Sequence, residues 1–231
     1  MPSPVPDDRD LIFRRIREAL QARREQVAPH RDAAAYRSLL PVVGESFEAR
    51  VERFREWSER LNTEFLVCTR ADLPATLAGL ARTHGWSRPA CHGAGLALDA
   101  LAATGLDDER ALHIDDSGAH PYDKDALEAC DLGITTCVAL VAQTGSVLLT
   151  SRDSGGRALS VLPPHHLVVA TADQMLPDLP ATMAFVRERY GSALPSLVTL
   201  HTGPSRTGDI ERTIVLGAHG PKKLTVVLIT P

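Results

Sequence analysis

Near the carboxyl end, "HTGPSRTGDIE" at residues 201–211 packs Gly, Pro, Ser, Thr, Asp and Glu between two apolar runs, and "LGAHGPKKLTVVLIT" follows. Gly203 and Pro204 turn the chain after the strand-like "LVTLH". Ser205 or Thr207 then suits a helix N-cap, with Asp209 and Glu211 in the first turn. Such a terminus exposes backbone N–H groups that bind phosphate or carboxylate. Two acids pointing the same way would repel an anion, and they can instead cap the backbone or hold Arg206 or Arg212. Spacing leaves both readings open, a structural turn and a ligand loop.

Two further turns carry similar chemistry: Gln143-Thr144-Gly145 between apolar runs, and "SRDSGGRALS", with Gly155, Gly156 and Arg157. Ligands of open α/β sheets sit beyond the carboxyl ends of the strands. The expectation is therefore that the three turns cluster at one end of a sheet.

Metal chemistry is weakly encoded. His113 and Asp115 lie two apart and would share a strand face, with His120 five residues on. Without a third firmly placed ligand, a strand end followed by a polar loop is the simpler reading, and no metal is expected. His165 and His166 are consecutive and would point to opposite faces. The four cysteines, at 68, 91, 130 and 137, include no C-x-x-C, so neither a zinc ribbon nor an iron–sulfur ligand run is readable. Lysine occurs only at 124, 222 and 223, which limits Schiff-base chemistry. P-loop, G-x-G-x-x-G, H-E-x-x-H and G-x-S-x-G signatures do not occur.

The elements that must position these residues follow from periodicity. "RDLIFRRIREALQARR" places Ile12, Ile16 and Leu20 on one helical stripe. Ser46 can cap a second helix, "FEARVERFREWSERLN", which either packs on the main core or serves as a partner-binding arm. Residues 1–60, with 12 Arg and 11 acidic groups, read as an N-terminal helical extension and not as a basic arm. From residue 61 to 231, short apolar runs alternate with helical stretches. "FLVCT", "ALHID", "HLVVAT", "SLVTLH" and "LTVVLIT" read as strands, and "LPATLAGLARTHG" and "LPATMAFVRERYG" as helices. This alternation predicts a mostly parallel sheet covered on both faces. Residues 137–150 read as a hairpin or sharply bent strand pair, so the sheet is expected to be mixed.

The 231 residues suit one α/β domain with a helical arm, and 44% hydrophobic with 23% charged residues is ordinary for a globular chain. A net charge of −4 argues against a broad nucleic-acid-binding surface. No apolar run approaches the ~20 residues of a membrane span, and the acidic, Pro-rich start is unlike a secretory signal. A cytoplasmic location is expected.

Three blocks, "DLGITTCVALVAQTGSVLL", "RALSVLPPHHLVVATADQML" and "GPSRTGDIERTIVLGAHGPKKLTVVLI", occur in an order that resembles the lactate utilization protein C family, built on the LUD domain. The likeness is strongest over residues 120–231. It implies a three-layer α/β/α sandwich similar to the NagB/RpiA/CoA-transferase-like group. It also implies a part in bacterial oxidation of L-lactate to pyruvate, as the cluster-free subunit or accessory factor beside iron–sulfur partner proteins, with no cofactor of its own. The fold also hosts free-standing acyl- or folate-handling enzymes, and a ligand-binding regulatory module is a further alternative. The family's turn usually reads Glu-Thr-Gly; here it is Gln143-Thr144-Gly145. An amide cannot act as the acyl-accepting nucleophile that a carboxylate can, but it can hydrogen-bond a ligand. Within the best-matched block, His219, Asp209 and Glu211 are the candidates for acid–base work. Gln143, Thr144, Gly145, Arg157, Gly203, Ser205, Thr207 and Asp209 are the expected ligand contacts.

Overall fold

The computed structural model describes residues 8–21, 41–114, 123–210 and 213–231. The chain divides into two compact units, Met1–Leu40 and Pro41–Pro231. The first contributes helix α1 (Asp8–Gln21), which carries the stripe of Ile12, Ile16 and Leu20.

The second unit begins with α2 (Phe47–Leu61). Ser46 caps it by accepting the Ala49 N–H at 3.1 Å, and Asn62 ends it in the left-handed conformation. Phe54 and Ser58 on this helix are fully buried. The helix therefore belongs to the α/β unit, and the compact boundary falls at residue 40, not near residue 60.

Six strands form one sheet: β1 (Glu64–Thr69), β2 (Pro89–His92), β3 (Leu112–Ile114), β4 (Leu132–Thr136), β7 (His165–Thr171) and β12 (Lys223–Thr230). Their order is β1-β12-β7-β4-β2-β3, and every pairing is parallel. Burial on both faces explains why β7 and β12 read as near-continuous apolar runs. Alternate residues divide between the two faces. Ile134, Leu167, Val169, Val227 and Ile229 pack under α3 (Leu73–His84) and α4 (Gly95–Thr104). Val168, Ala170, Leu224, Val226 and Leu228 face the other way and meet Phe54.

That second face is covered by a smaller sheet as well as by α2. β5 (Ala139–Val141) and β6 (Ser146–Thr150) form the expected hairpin, flanked by β8 (Met175–Leu176) and β9 (Val198–His201) in the order β8-β5-β6-β9. The antiparallel pairs thus lie in a separate sheet and leave the main one wholly parallel. α6 (Leu179–Tyr190) covers the far side of the small sheet through Val186 and Tyr190. The short α5 (Lys124–Glu128) buries Leu127 against Ala90 and Leu159. One outer layer of the α/β sandwich is therefore part sheet and part helix.

The expected helix after Ser205 is a strand. β10 (Arg206–Ile210) and β11 (Thr213–Leu216) form a two-stranded antiparallel ribbon with an irregular register between Thr207 and Ile210. Gly208 weakens a helix there, and "TIVL" is rich in β-branched residues that fit a strand. No helix among the described residues is long and apolar enough to cross a membrane.

Candidate functional site

The chain runs from β2 outward to β3, then back across β2 to β4, and on through β7 to β12. Loops after β2 and β4 therefore depart in opposite directions, which opens a crevice at the carboxyl ends of these strands. A cavity of about 810 Å³ occupies this place, with His92 at the end of β2, Thr136 at the end of β4 and Thr171 at the end of β7 in its wall.

Its floor is stitched by Gln174. The side-chain oxygen accepts from the Thr171 N–H at 2.7 Å, and the amide nitrogen donates to the Cys137 carbonyl. Helix α4 starts in the cavity lining at Gly95, where φ is +50°, and its N-cap residue, Ala94, makes no side-chain capping bond. Those first-turn N–H groups carry the positive end of the helix dipole.

Arg152, Asp153 and Arg189 also line the cavity. Asp153 accepts from Tyr190 Oη at 2.5 Å, Arg189 Nη2 at 2.9 Å and Thr150 Oγ1 at 2.9 Å. Burial alone would raise its pKa, but these three donors outweigh burial and hold the carboxyl below its ordinary range. Burial and the Asp153 carboxylate push the Tyr190 phenol up. Arg152 lies over the Tyr190 ring at 5.6 Å and donates to the Ala193 carbonyl at 3.1 Å. The arrangement is a rigid, charged rim suited to binding and orienting a polar ligand.

A second cavity, about 520 Å³, lies at the amino ends of β7 and β12, walled by Leu162, Pro164, Gly217, His219, Gly220 and Lys222. Ser205 braces this loop: its N–H donates to the Pro221 carbonyl at 2.9 Å, and its carbonyl accepts from Gly217 at 3.0 Å. His219 is exposed on the wall.

The expected site residues are thus dispersed. Gly203 sits beside Leu61, Thr207 lies on β10, and Arg157 is an exposed residue of the turn after β6. Asp209 belongs to β10 by its backbone; its side chain and Glu211 lie outside the described residues, as do Asp115 and His120. Gln143 is buried, donating to the Pro41 carbonyl at 3.0 Å and accepting from the Leu179 N–H at 3.2 Å. Thr144 bonds Ser146 at 2.7 Å, and Gly145, at φ +62°, abuts Trp57 so closely that a Cβ would sit 2.5 Å from it. This turn joins structural elements and does not line the large cavity. Of the three glycine turns, among the described residues only that of residues 151–160 reaches the carboxyl end, through Arg152 and Asp153.

Sequence spacing also missed a trio at the amino end. Ligand atoms of Glu64, His84 and His165 lie within 4.8 Å of one another. Glu64 Oε2 bonds His84 Nε2 at 2.9 Å and accepts from Thr225 Oγ1 at 2.8 Å, which bonds His165 Nε2 at 2.8 Å. His165 Nδ1 accepts from Trp86 Nε1 at 3.0 Å. Both ring nitrogens of His165 are engaged, so the trio is a hydrogen-bond network and offers an ion no free lone pair there. His113 pairs with Asp108 at 3.2 Å.

Residues 51–229 match the LUD domain. Lactate utilization protein C of Geobacillus sp. (strain WCH70) is 29% identical over 195 residues, covering 81% of this chain and 80% of that protein. The protein of that name from Geobacillus thermodenitrificans (strain NG80-2) is 30% identical over 125 residues, about half of each chain (53% and 52%). The one from Exiguobacterium sp. (strain ATCC BAA-1283 / AT1b) is 25% identical over 228 residues, 96% of each. A crystal structure of a DUF162 family protein from Deinococcus radiodurans shares the fold, with a TM-score of 0.57 and 22% identity, covering 80% of this chain and 99% of that one.

Proposed function

The chain belongs to the LUD domain family, and from that membership we propose that it is a component of bacterial L-lactate utilization, acting beside iron–sulfur partner proteins in the oxidation of L-lactate to pyruvate. The observation that carries this reading is the similarity, over most of the chain, to proteins named lactate utilization protein C.

The thiol chemistry supports a cluster-free part in that process. Cys68 and Cys91 pack in the core beneath α3 and α4, Cys137 in the core between the two sheets, and Cys130 under α5. They cannot converge on one cluster. Burial raises the pKa of Cys91 to about 12 and pushes Cys137 up further, so neither forms a ready thiolate. Redox chemistry is then left to the partners, and this chain contributes a small-molecule site, for which the carboxyl-end cavity is the candidate.

The test is lactate oxidation by a reconstituted set of the partners with and without this chain, together with growth on L-lactate of a deletion strain. Pyruvate formation should require the chain. The double variant Arg70→Ala/Arg152→Ala, which alters only exposed cavity residues, should fail to restore growth although it folds. Unchanged lactate oxidation without the chain would end this reading; normal growth with the double variant would remove the cavity from it.

A further inference from the structure

The carboxyl-end cavity, read above as the ligand site, has three kinds of wall, and each suits a different part of one molecule. The first is cationic. Among the described residues Arg189 is held by Asp153 at 2.9 Å while Arg70 and Arg152 form no ion pair, and the first turn of α4, whose N-cap Ala94 makes no side-chain bond, adds backbone donors. A guanidinium not neutralised by a carboxylate, in a cavity also lined by the start of a helix, suits phosphate or carboxylate oxygens.

The second wall is acidic. Asp99 on α4 and Asp173 after β7 are exposed side chains in the cavity lining. Carboxylates accept only, so they suit hydroxyl or amino donors and would repel a second anionic group. The third wall is apolar: Leu96, Val138, Leu176 and the partly buried Phe185. A flat ring seated there would bury area that a small polar acid leaves wet.

We propose that this cavity takes a nucleotide-class ligand, an anionic phosphate joined through a hydroxyl-bearing sugar to a flat ring. Inorganic phosphate matches the first wall alone, L-lactate with its single hydroxyl matches the first two but leaves the apolar wall wet, and either would fill a small part of about 810 Å³. A plain acyl chain matches the third wall and wastes the second. No bond is made or broken in this proposal; it concerns binding and selectivity.

Calorimetric titration of the full chain tests it, with ADP, UDP and FMN as nucleotides, adenosine, uridine and riboflavin as their ring-bearing halves, ribose 5-phosphate as a sugar-phosphate half, and inorganic phosphate and L-lactate as small anions. At least one nucleotide should bind about tenfold or more tightly than either half, because ring and phosphate each contribute. Arg70→Ala should weaken that nucleotide by about tenfold and leave its ring-bearing half unmoved. Phe185→Leu, which keeps an apolar side chain in place, should weaken the nucleotide and leave ribose 5-phosphate unmoved. Three results overturn the proposal: no nucleotide binds, a small anion binds as tightly as the nucleotides, or Arg70→Ala and Arg152→Ala together leave nucleotide affinity unchanged. Such a result, with the double variant still failing on L-lactate, strikes the ligand class and leaves the cavity's role standing.

Discussion

The indole N–H of Trp86 donates to Nδ1 of His165 across 3.0 Å, where both residues are nearly inaccessible to water. A tryptophan nitrogen can only donate, so Nδ1 must be the bare nitrogen and Nε2 must carry the proton. Nε2–H then donates to Thr225, whose hydroxyl donates to Glu64. One indole thereby sets the direction of a chain linking α3, β7, β12 and β1.

Trp86→Phe keeps the ring but leaves Nδ1 of His165 without its donor. An unsatisfied buried acceptor costs about 1–3 kcal/mol. The urea midpoint at neutral pH should fall accordingly, with an unchanged m-value. A loss below about 0.5 kcal/mol would mean that the bond does not govern the histidine.

The same burial makes the protein acid-sensitive. Desolvation, aided by His84 and Lys223, lowers the His165 pKa to about 4; burial and the neighbouring histidines hold His166 well below the ordinary value, and burial lowers His201. The unfolded chain binds these protons near pH 6.5 and the folded one does not. Stability is therefore full above about pH 6.5 and falls as pH drops toward about 4, by of order 3 kcal/mol for His165 alone. Urea unfolding at about pH 7 and about pH 5 checks this. Equal midpoints at the two values would refute it.

Asp153 ties the turn after β6 to the end of α6 through Tyr190 and Arg189. Asp153→Asn keeps the shape but removes the charge that the three donors favour, and should cost about 1–2 kcal/mol at neutral pH. The Asp153 pKa is depressed in the fold, so its contribution is present above about pH 4 and is lost as pH falls further. The gap between wild type and variant in thermal unfolding should close in that direction.

Much of this architecture is legible in the residues. β7 and β12 are buried on both faces and so write themselves as apolar runs, and α2 announces its start with Ser46 and its stripe with Phe54. β2, "PACH", is too short and too mixed in type to stand out, and its leading proline argues against a strand. The ribbon of β10 and β11 was hidden because Ser, Thr and Asp after a Gly-Pro turn serve a helix start and a hairpin alike. The cavity is the hardest case. Arg70, His92, Thr136 and Thr171 converge only because β1, β2, β4 and β7 end at one edge, and the crevice exists only because the strand order reverses between β2 and β4. Spacing along the chain contains neither fact. A rule that inspects strand ends would have found them once the order was known.

Gln143 gives the last prediction, since the family resemblance implies a glutamate at this turn. Its amide nitrogen donates to the Pro41 carbonyl and its oxygen accepts from the first turn of α6 at Leu179. Gln143→Glu keeps the second contact, at a helix N-terminus that favours negative charge, but turns the first into an oxygen facing an oxygen. The buried carboxylate is disfavoured by that carbonyl and by desolvation, so its folded pKa rises above the ordinary glutamate value. The variant is then closest to wild type where the acid is protonated and can donate. Its deficit, about 1–2 kcal/mol, should grow as pH rises through the raised pKa. Parallel denaturation curves for wild type and variant at about pH 5 and about pH 8 measure it. A variant as stable as wild type at the higher value would mean that the Pro41 contact carries no weight and that glutamine and glutamate are interchangeable here.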